Sequence, residues 1–318
     1  MLLGAAMALK RQEKKLIDLG GSVRLFFQPA EEGGGGALRM IEQGALNGAD
    51  GAAMLHTSPE QLVGTIASRV GAIMAGSTRI EISVEGVGGH AAYPHTTTDT
   101  ISAAAAIITG LHAIVSRTVK PTDSAVISLT FLNAGDAYNV LPNTVTIGGT
   151  VRALDGDTLS RVLATIRERA EMIARGYGCT AVVNTRDDEV STNSRGVEWS
   201  SISYPPVIND EGIFRLGMRT AEALFGADST LTLDEPSMAG EDFSFIGNAV
   251  PASMFWIGHR SEEHAKGERT GNNLHNAKLE LDERMLPRGA AFLASIAMEF
   301  NVQWKAKSSS GGSDSSEL

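Results

Sequence analysis

Adjacent carboxylates, histidines beside apolar runs and an arginine at a strand end are the side chains here whose types could bind a cation or grip a carboxylate. Glu31 and Glu32 follow the apolar run 22–28 (SVRLFFQ) and Pro29-Ala30, and precede four glycines at 33–36. Two neighbouring carboxylates repel each other unless a cation or a proton lies between them. At the carboxyl end of a strand in an open α/β sheet, where ligands bind, such a pair is a candidate site. Elsewhere it is a solvated acidic turn. His56 closes the apolar run 51–55 (GAAML), and His275 sits in Leu274-His275-Asn276 after Gly271-Asn272-Asn273. Each histidine alone reads equally as a hydrogen-bonded structural residue. Together with a glutamate they form a carboxylate/imidazole set suited to Zn²⁺ or Mn²⁺. The separations along the chain are too long for spacing to show that they meet.

Further candidates lie between these. His90 is flanked by glycine in 88–95 (GGHAAYPH), where the alternative is a turn carrying a surface histidine. Glu241-Asp242, in 238–245 (MAGEDFSF), reads as a helix N-cap or as a partner for a metal-bound imidazole. Arg152 ends a predicted strand, where a guanidinium grips a carboxylate through two N–H groups or makes a surface ion pair. The single cysteine, Cys179, excludes an internal disulfide framework and any all-cysteine metal site, and reads as structural.

The elements that must position these residues follow from periodicity. Residues 22–28 and 51–55 read as buried strands around a helix at 37–43, the grammar of a parallel α/β sheet. From 79 the pattern changes to strand 79–85, helix 99–116, strands 125–132 and 144–152, helix 158–175 and strand 180–185. That β-α-β-β-α-β order is the split, ferredoxin-like pattern. The α/β grammar then returns with helix 210–225, strand 253–258 and helix 284–300. The resulting division is 1–74 and 188–306 for an α/β domain, 75–187 for an inserted α+β domain, and 307–318 for a Ser/Gly-rich disordered tail. The segment 191–204 reads as a variable loop.

Composition removes some functions. With 27 Lys+Arg against 37 Asp+Glu the 318-residue chain carries a formal charge of −10, which argues against nucleic acid as a partner. The longest apolar stretch, 101–115, is interrupted by Ser102, Thr109, Gly110 and His112, so it reads as a buried amphipathic helix rather than a membrane span.

Taken in order, 26–33 (FFQPAEEG), 88–95, Asn139-Val140-Leu141-Pro142, Gly149-Thr150-Val151-Arg152, Glu241-Asp242-Phe243 and Leu274-His275-Asn276 resemble the M20 metallopeptidases. The likeness is to the amidohydrolase branch that includes auxin–amino acid conjugate hydrolases and N-acyl-amino acid hydrolases, and it covers the chain to about residue 300. It implies a zinc-peptidase-like α/β catalytic domain with an inserted lid and dimerisation domain. By the same resemblance Glu31 is the general base, and Glu32, His56 and His275 are ligands to two divalent ions, zinc or manganese. His90, Asn139 and Arg152 polarise the scissile carbonyl and hold the substrate carboxylate, with His90 reaching across a homodimer. The implied substrate is a small N-acyl-amino acid, with no nucleic-acid or membrane partner and a compartment left open between cytosol and endoplasmic reticulum.

The sequence also departs from the family. A Cys-Gly-His-Asp segment that supplies a cysteine and a histidine ligand lies upstream of the stretch matching residues 1–6, so Met1 reads as an internal methionine. The expectation is then Glu32 and His275 on one ion, His56 on the other, weak metal binding and impaired amidase activity. Two small departures are Ala277 and Thr100, where the family has proline. The competing readings are a non-catalytic dimerising remnant and an M20 dipeptidase or carboxypeptidase.

Overall fold

The computed structural model describes residues 1–185, 190–192, 198–200, 203–265 and 274–310. The first of two principal sheets is mixed, in the order Ala52–Leu62, Ala252–Arg260, Ile66–Ser68, Thr230–Thr232. Ala52–Leu62 and Ala252–Arg260 run parallel, in a register that sets His56 opposite Trp256. Ile66–Ser68 is antiparallel to Ala252–Arg260 and parallel to Thr230–Thr232.

The run ASMFWIGHR is almost continuously buried, as a strand covered on both faces must be. Alternation sorts its side chains. Ala252 and Met254 join Ala37, Ile73, Phe243 and Ile246 on one face, beneath the helices Gly36–Glu42 and Phe243–Ala249. Phe255 and Ile257 join Ile213, Leu216, Phe292 and Ile296 on the other, beneath Glu211–Phe225 and Met285–Ser310. The Phe255 and Phe292 rings meet edge to face at 5.1 Å. Asp210 caps Glu211–Phe225 by accepting from the Ile213 N–H at 2.8 Å. Leu2–Arg11 packs against the last helix through Ala5, Leu9, Ala294 and Met298.

The second sheet is antiparallel, in the order Ala125–Ala134, Thr144–Ala153, Gly76–Glu85, Thr180–Thr185. Its helices Thr100–Arg117 and Gly156–Gly176 cover one face, with Ile107, Leu111 and Ile114 packed on Ile80, Ile82, Val145 and Ile147. In chain order the strands stand 2-3-1-4, the arrangement expected of a β-α-β-β-α-β unit. Thr100–Arg117 is long and apolar enough to span a bilayer by composition. Its apolar side is instead spent on this sheet.

Four expectations are corrected. Residues 22–28 form no strand: a strand exists only where its backbone groups find a neighbouring ladder, and none among the described residues pairs with this run. Its side chains still serve the core, Val23 and Leu25 against the Ala5 cluster and Phe26 against the Met254 cluster. The strand predicted at 51–55 continues to Leu62, with an irregularity between Ser58 and Leu62, so His56 lies within it and not at its end. Part of 191–204 is a hairpin, with Val190–Thr192 antiparallel to Glu198–Ser200. The last helix extends to Ser310, through the start of the predicted tail, while 311–318 lie outside the described residues.

Candidate metal centre

Glu31 and Glu32 sit on a single kinked turn, Glu31–Gly34, built from unusual backbone conformations. Ala30 enters it at φ 54°, ψ 41°, Gly33 has φ 104° and Gly35 φ 59°. Glycine reaches such angles without steric cost, whereas alanine does so under strain. Gly36 is required for a different reason: a Cβ there would lie 1.6 Å from the Pro29 carbonyl oxygen. The glycine run thus lets the chain fold back beside the carboxylates.

Among the described residues only Ala30 and His275 combine a side chain with positive φ. The two flank one locus. His275 Nδ1 lies 3.4 Å from Glu32 Oε1, and both side chains are more than two-thirds exposed. His56 is near enough to His275 for that imidazole to disfavour protonation of His56. Burial lowers the pKa of His56 chiefly, with His275 a smaller contribution in the same direction. The ring is therefore neutral at pH 7, the form a metal ligand needs. It is oriented by Trp256, in an edge contact at 4.9 Å, and by the Thr57 carbonyl, 2.7 Å from Nδ1. A hydrogen bond there leaves Nε2 as the ligating nitrogen. Glu32 and His275 are thus close enough to share a cation, whereas among the described residues the set whose ligand atoms all lie within 4.8 Å of one another is Glu31, Glu241 and Asp242, without His56, Glu32 or His275.

Glu31 faces another way. Its carboxylate offers an oxygen within 4.8 Å of oxygens from both Glu241 and Asp242. Asp242 accepts from Gln28 Nε2 at 2.7 Å and from the Ala37 N–H at 3.0 Å. Glu241 accepts from the Phe243 N–H at 3.2 Å. Asp242 holds the N-cap position without a side-chain capping bond, and among the described residues no hydrogen bond joins the acidic pair to His56 or His275. The pair adjoins Glu31 instead, with side chains 2% and 0% exposed. Burial first, and the Glu31 charge second, push Glu241 up to about 8. Burial also raises Asp242, against the hydrogen bonds it accepts.

This arrangement predicts a pH-dependent stability. A carboxyl whose folded pKa is raised stabilises the fold fully below its unfolded value of 4.5, and the benefit is lost as pH rises towards 8. The loss is at most about 1.4 kcal/mol per pH unit across that window. Glu241→Gln is expected to raise the melting temperature of the metal-free chain at pH 8 and leave it little changed at pH 4.5. Equal melting shifts at both pH values would contradict this placement of the proton.

The remaining candidates divide. His90 and Asn139 are brought together, because Gly89–His90 pairs with Val140–Leu141 and the Ala91 N–H donates to the Asn139 carbonyl at 2.9 Å. Both are exposed, and among the described residues no hydrogen bond or ion pair joins them to Glu31, Glu32, His56 or His275. Arg152 stands opposite Ser77, and its Nη1 donates to the Met238 carbonyl at 3.0 Å, so it bridges the second sheet to the loop carrying Glu241.

Sequence reasoning missed Tyr204. Its hydroxyl donates to the Glu31 carbonyl and accepts from the N–H groups of Gly33 at 3.0 Å and Gly35 at 3.3 Å. Its partners lie about 170 residues away, beyond any local signal.

The chain is also similar to known proteins. The model of peptidase family M20/M25/M40 matches residues 1–299. The chain is 33% identical, over all its 318 residues and 68% of the relative, to IAA-amino acid hydrolase ILR1-like 4 of Arabidopsis thaliana. It is 35% identical to the N-acetyl-L-cysteine deacetylase of Bacillus subtilis (strain 168), over 92% of this chain and 63% of the relative. The YXEP protein of Bacillus subtilis, described as a dinuclear metal-binding peptidase of the M20 family, superposes with a TM-score of 0.73 at 29% identity, covering 95% of this chain and 70% of that one. The chain therefore spans about two thirds of the length of the relatives it matches. With the family model matched over nearly its whole length, the chain belongs to peptidase family M20/M25/M40.

Proposed function

We propose that this chain carries the general base, cation ligands and substrate-holding residues of a metal-dependent amidohydrolase acting on N-acyl-amino acids, of the indole-acetyl-amino acid or hippurate-like kind. The observation that carries the reading is the approach of His275 to Glu32, far apart in sequence, on the turn whose other carboxylate, Glu31, meets Glu241 and Asp242. The names of the relatives, IAA-amino acid hydrolase and N-acetyl-L-cysteine deacetylase, describe removal of an acyl group from an amino acid.

In this reading Glu32 and His275 hold one ion, zinc or manganese, and His56 the other. Cations held there would supply polarisation of the amide carbonyl and a lowered pKa for an attacking water. Glu31 takes a proton from that water and returns it to the leaving amine. Arg152 fixes the amino acid carboxylate with the N–H groups not given to Met238, which sets the amide in place for attack. His90 and Asn139 stabilise the developing oxyanion, His90 from the partner subunit of a homodimer. Residues 75–187 then form the lid and dimerisation domain. The outer strand Ala125–Ala134, with Phe131 and Leu132 exposed, supports that assignment. Catalytic zinc normally keeps three protein ligands. Three ligands shared by two cations imply weak binding by this chain.

The test is release of free amino acid from hippurate, an indole-acetyl-amino acid and a dipeptide, in excess Mn²⁺ or Zn²⁺, with sedimentation measured in parallel. Slow hydrolysis of the two acyl conjugates, abolished by chelation, in a particle of twice the chain mass is expected. Faster cleavage of the dipeptide would replace the reading with a dipeptidase. No cleavage in excess cation would favour the non-catalytic dimer.

A further inference from the structure

We propose that Tyr204 is a positioning residue which ties the placement of the second sheet to the Glu31–Glu32 turn. The inference rests on the reading of Glu31 as the base. Tyr204 is 5% exposed and does two things at once. Its hydroxyl uses its hydrogen on the Glu31 carbonyl and its lone pairs on the Gly33 and Gly35 N–H groups. Its backbone makes both hydrogen bonds of an antiparallel bridge to Ser77, N–H to the Ser77 carbonyl at 2.9 Å and carbonyl to the Ser77 N–H at 2.8 Å.

Ser77 belongs to Gly76–Glu85, the strand at the centre of the second sheet that also pairs with Arg152. The same strand root touches the segment that leads into Glu241-Asp242. Ala75 N–H lies 3.0 Å from the carbonyls of Ser237 and Ala239, and a Cβ at Gly240 would come within 2.9 Å of Ser77 Cβ. Arg152 adds its bond to Met238. A movement of this strand therefore reaches Glu31 through Tyr204, and Glu241-Asp242 through Met238 to Gly240. The turn it reaches is the strained one, with Ala30 at φ 54°, so its conformation depends on outside anchors. In Tyr204→Phe the ring stays, but the hydrogen bonds its hydroxyl gives to the Glu31 carbonyl and accepts from the Gly33 and Gly35 N–H groups are lost.

The experiment is site-resolved amide hydrogen exchange on the 318-residue chain, with steady-state kinetics on an N-acetyl-amino acid in excess Mn²⁺. In the wild type the Gly33 and Gly35 amides are expected to be protected, and free exchange there overturns the proposal. In Tyr204→Phe both are expected to exchange at least about tenfold faster, the change that loss of a buried hydrogen bond brings. The amides of Ile80 and Ile147 should not change. Gly240→Ala, which leaves the hydroxyl in place and crowds Ser77, should accelerate the same two amides through the strand root. This second variant decides the matter should Tyr204→Phe fail to fold. Unchanged exchange at Gly33 and Gly35 in a folded variant overturns the proposal. Where the wild type hydrolyses, Tyr204→Phe should lower kcat about tenfold with KM within about twofold, as expected for a group acting through the base. An unchanged kcat overturns the catalytic part. A wild type with protected amides but no metal-dependent hydrolysis would instead defeat the reading of Glu31 and leave the mechanical link standing.

Discussion

Glu31→Gln is expected to lower kcat for N-acyl-amino acid hydrolysis, measured in excess Mn²⁺, by about 100- to 10,000-fold, the usual contribution of a positioned general base. The amide of glutamine keeps the size of the side chain but cannot take a proton from water. The hydrogen bond from Tyr204 ends on the Glu31 backbone carbonyl, so the substitution leaves that anchor in place. It also removes one of three crowded carboxylates, which relieves the charge that helps raise Glu241. The variant should therefore melt at or above the wild-type temperature at pH 8 while losing activity. A variant that keeps a tenth or more of kcat would show that the proton goes elsewhere. A fall in activity that tracks a fall in melting temperature would show a structural role only.

Removal of one ligand should act on metal affinity instead. His275→Asn is the clean choice, because asparagine tolerates the positive φ of 62° at this position and the exposed side chain supports little packing. Loss of a direct ligand should weaken Mn²⁺ or Zn²⁺ binding by more than the roughly 10- to 100-fold that loss of an outer partner costs. Calorimetric titration reads this directly. Glu32→Gln should behave alike, since both residues serve the same ion in this reading. His56→Ala is less clean: the ring packs against Trp256, so stability and affinity fall together. Unchanged affinity in His275→Asn would remove that residue from the ligand set.

Much of this was legible in the residues, for identifiable reasons. The β-α-β-β-α-β unit was readable because its strands and helices are strongly patterned along the chain, even though Gly76–Glu85 pairs with the distant strands Thr144–Ala153 and Thr180–Thr185. The buried run around Met254 and Phe255 was readable because both of its faces are covered. Residues 22–28 misled because apolar content signals burial, not pairing, and burial is what they achieved. At the site, the glycine run marked the Glu31–Glu32 turn, whereas the nearness of His275 to Glu32 is a property of the folded chain that spacing did not show. The contact between Glu31 and Glu241-Asp242 was not legible, because no periodicity links residues some 210 positions apart. The role of Tyr204 was hidden in the same way. Its signal is a hydroxyl placed by a bridge to Ser77, a property of the folded chain alone.

X-ray absorption of the chain loaded with Zn²⁺ tests the central claim most directly, because imidazole rings leave a distinctive scattering pattern around the metal. The account predicts imidazole ligation together with carboxylate oxygen, with the imidazole signal reduced in His275→Asn and reduced further when His56 is also replaced. A spectrum of oxygen ligands alone, unchanged by either substitution, would contradict it.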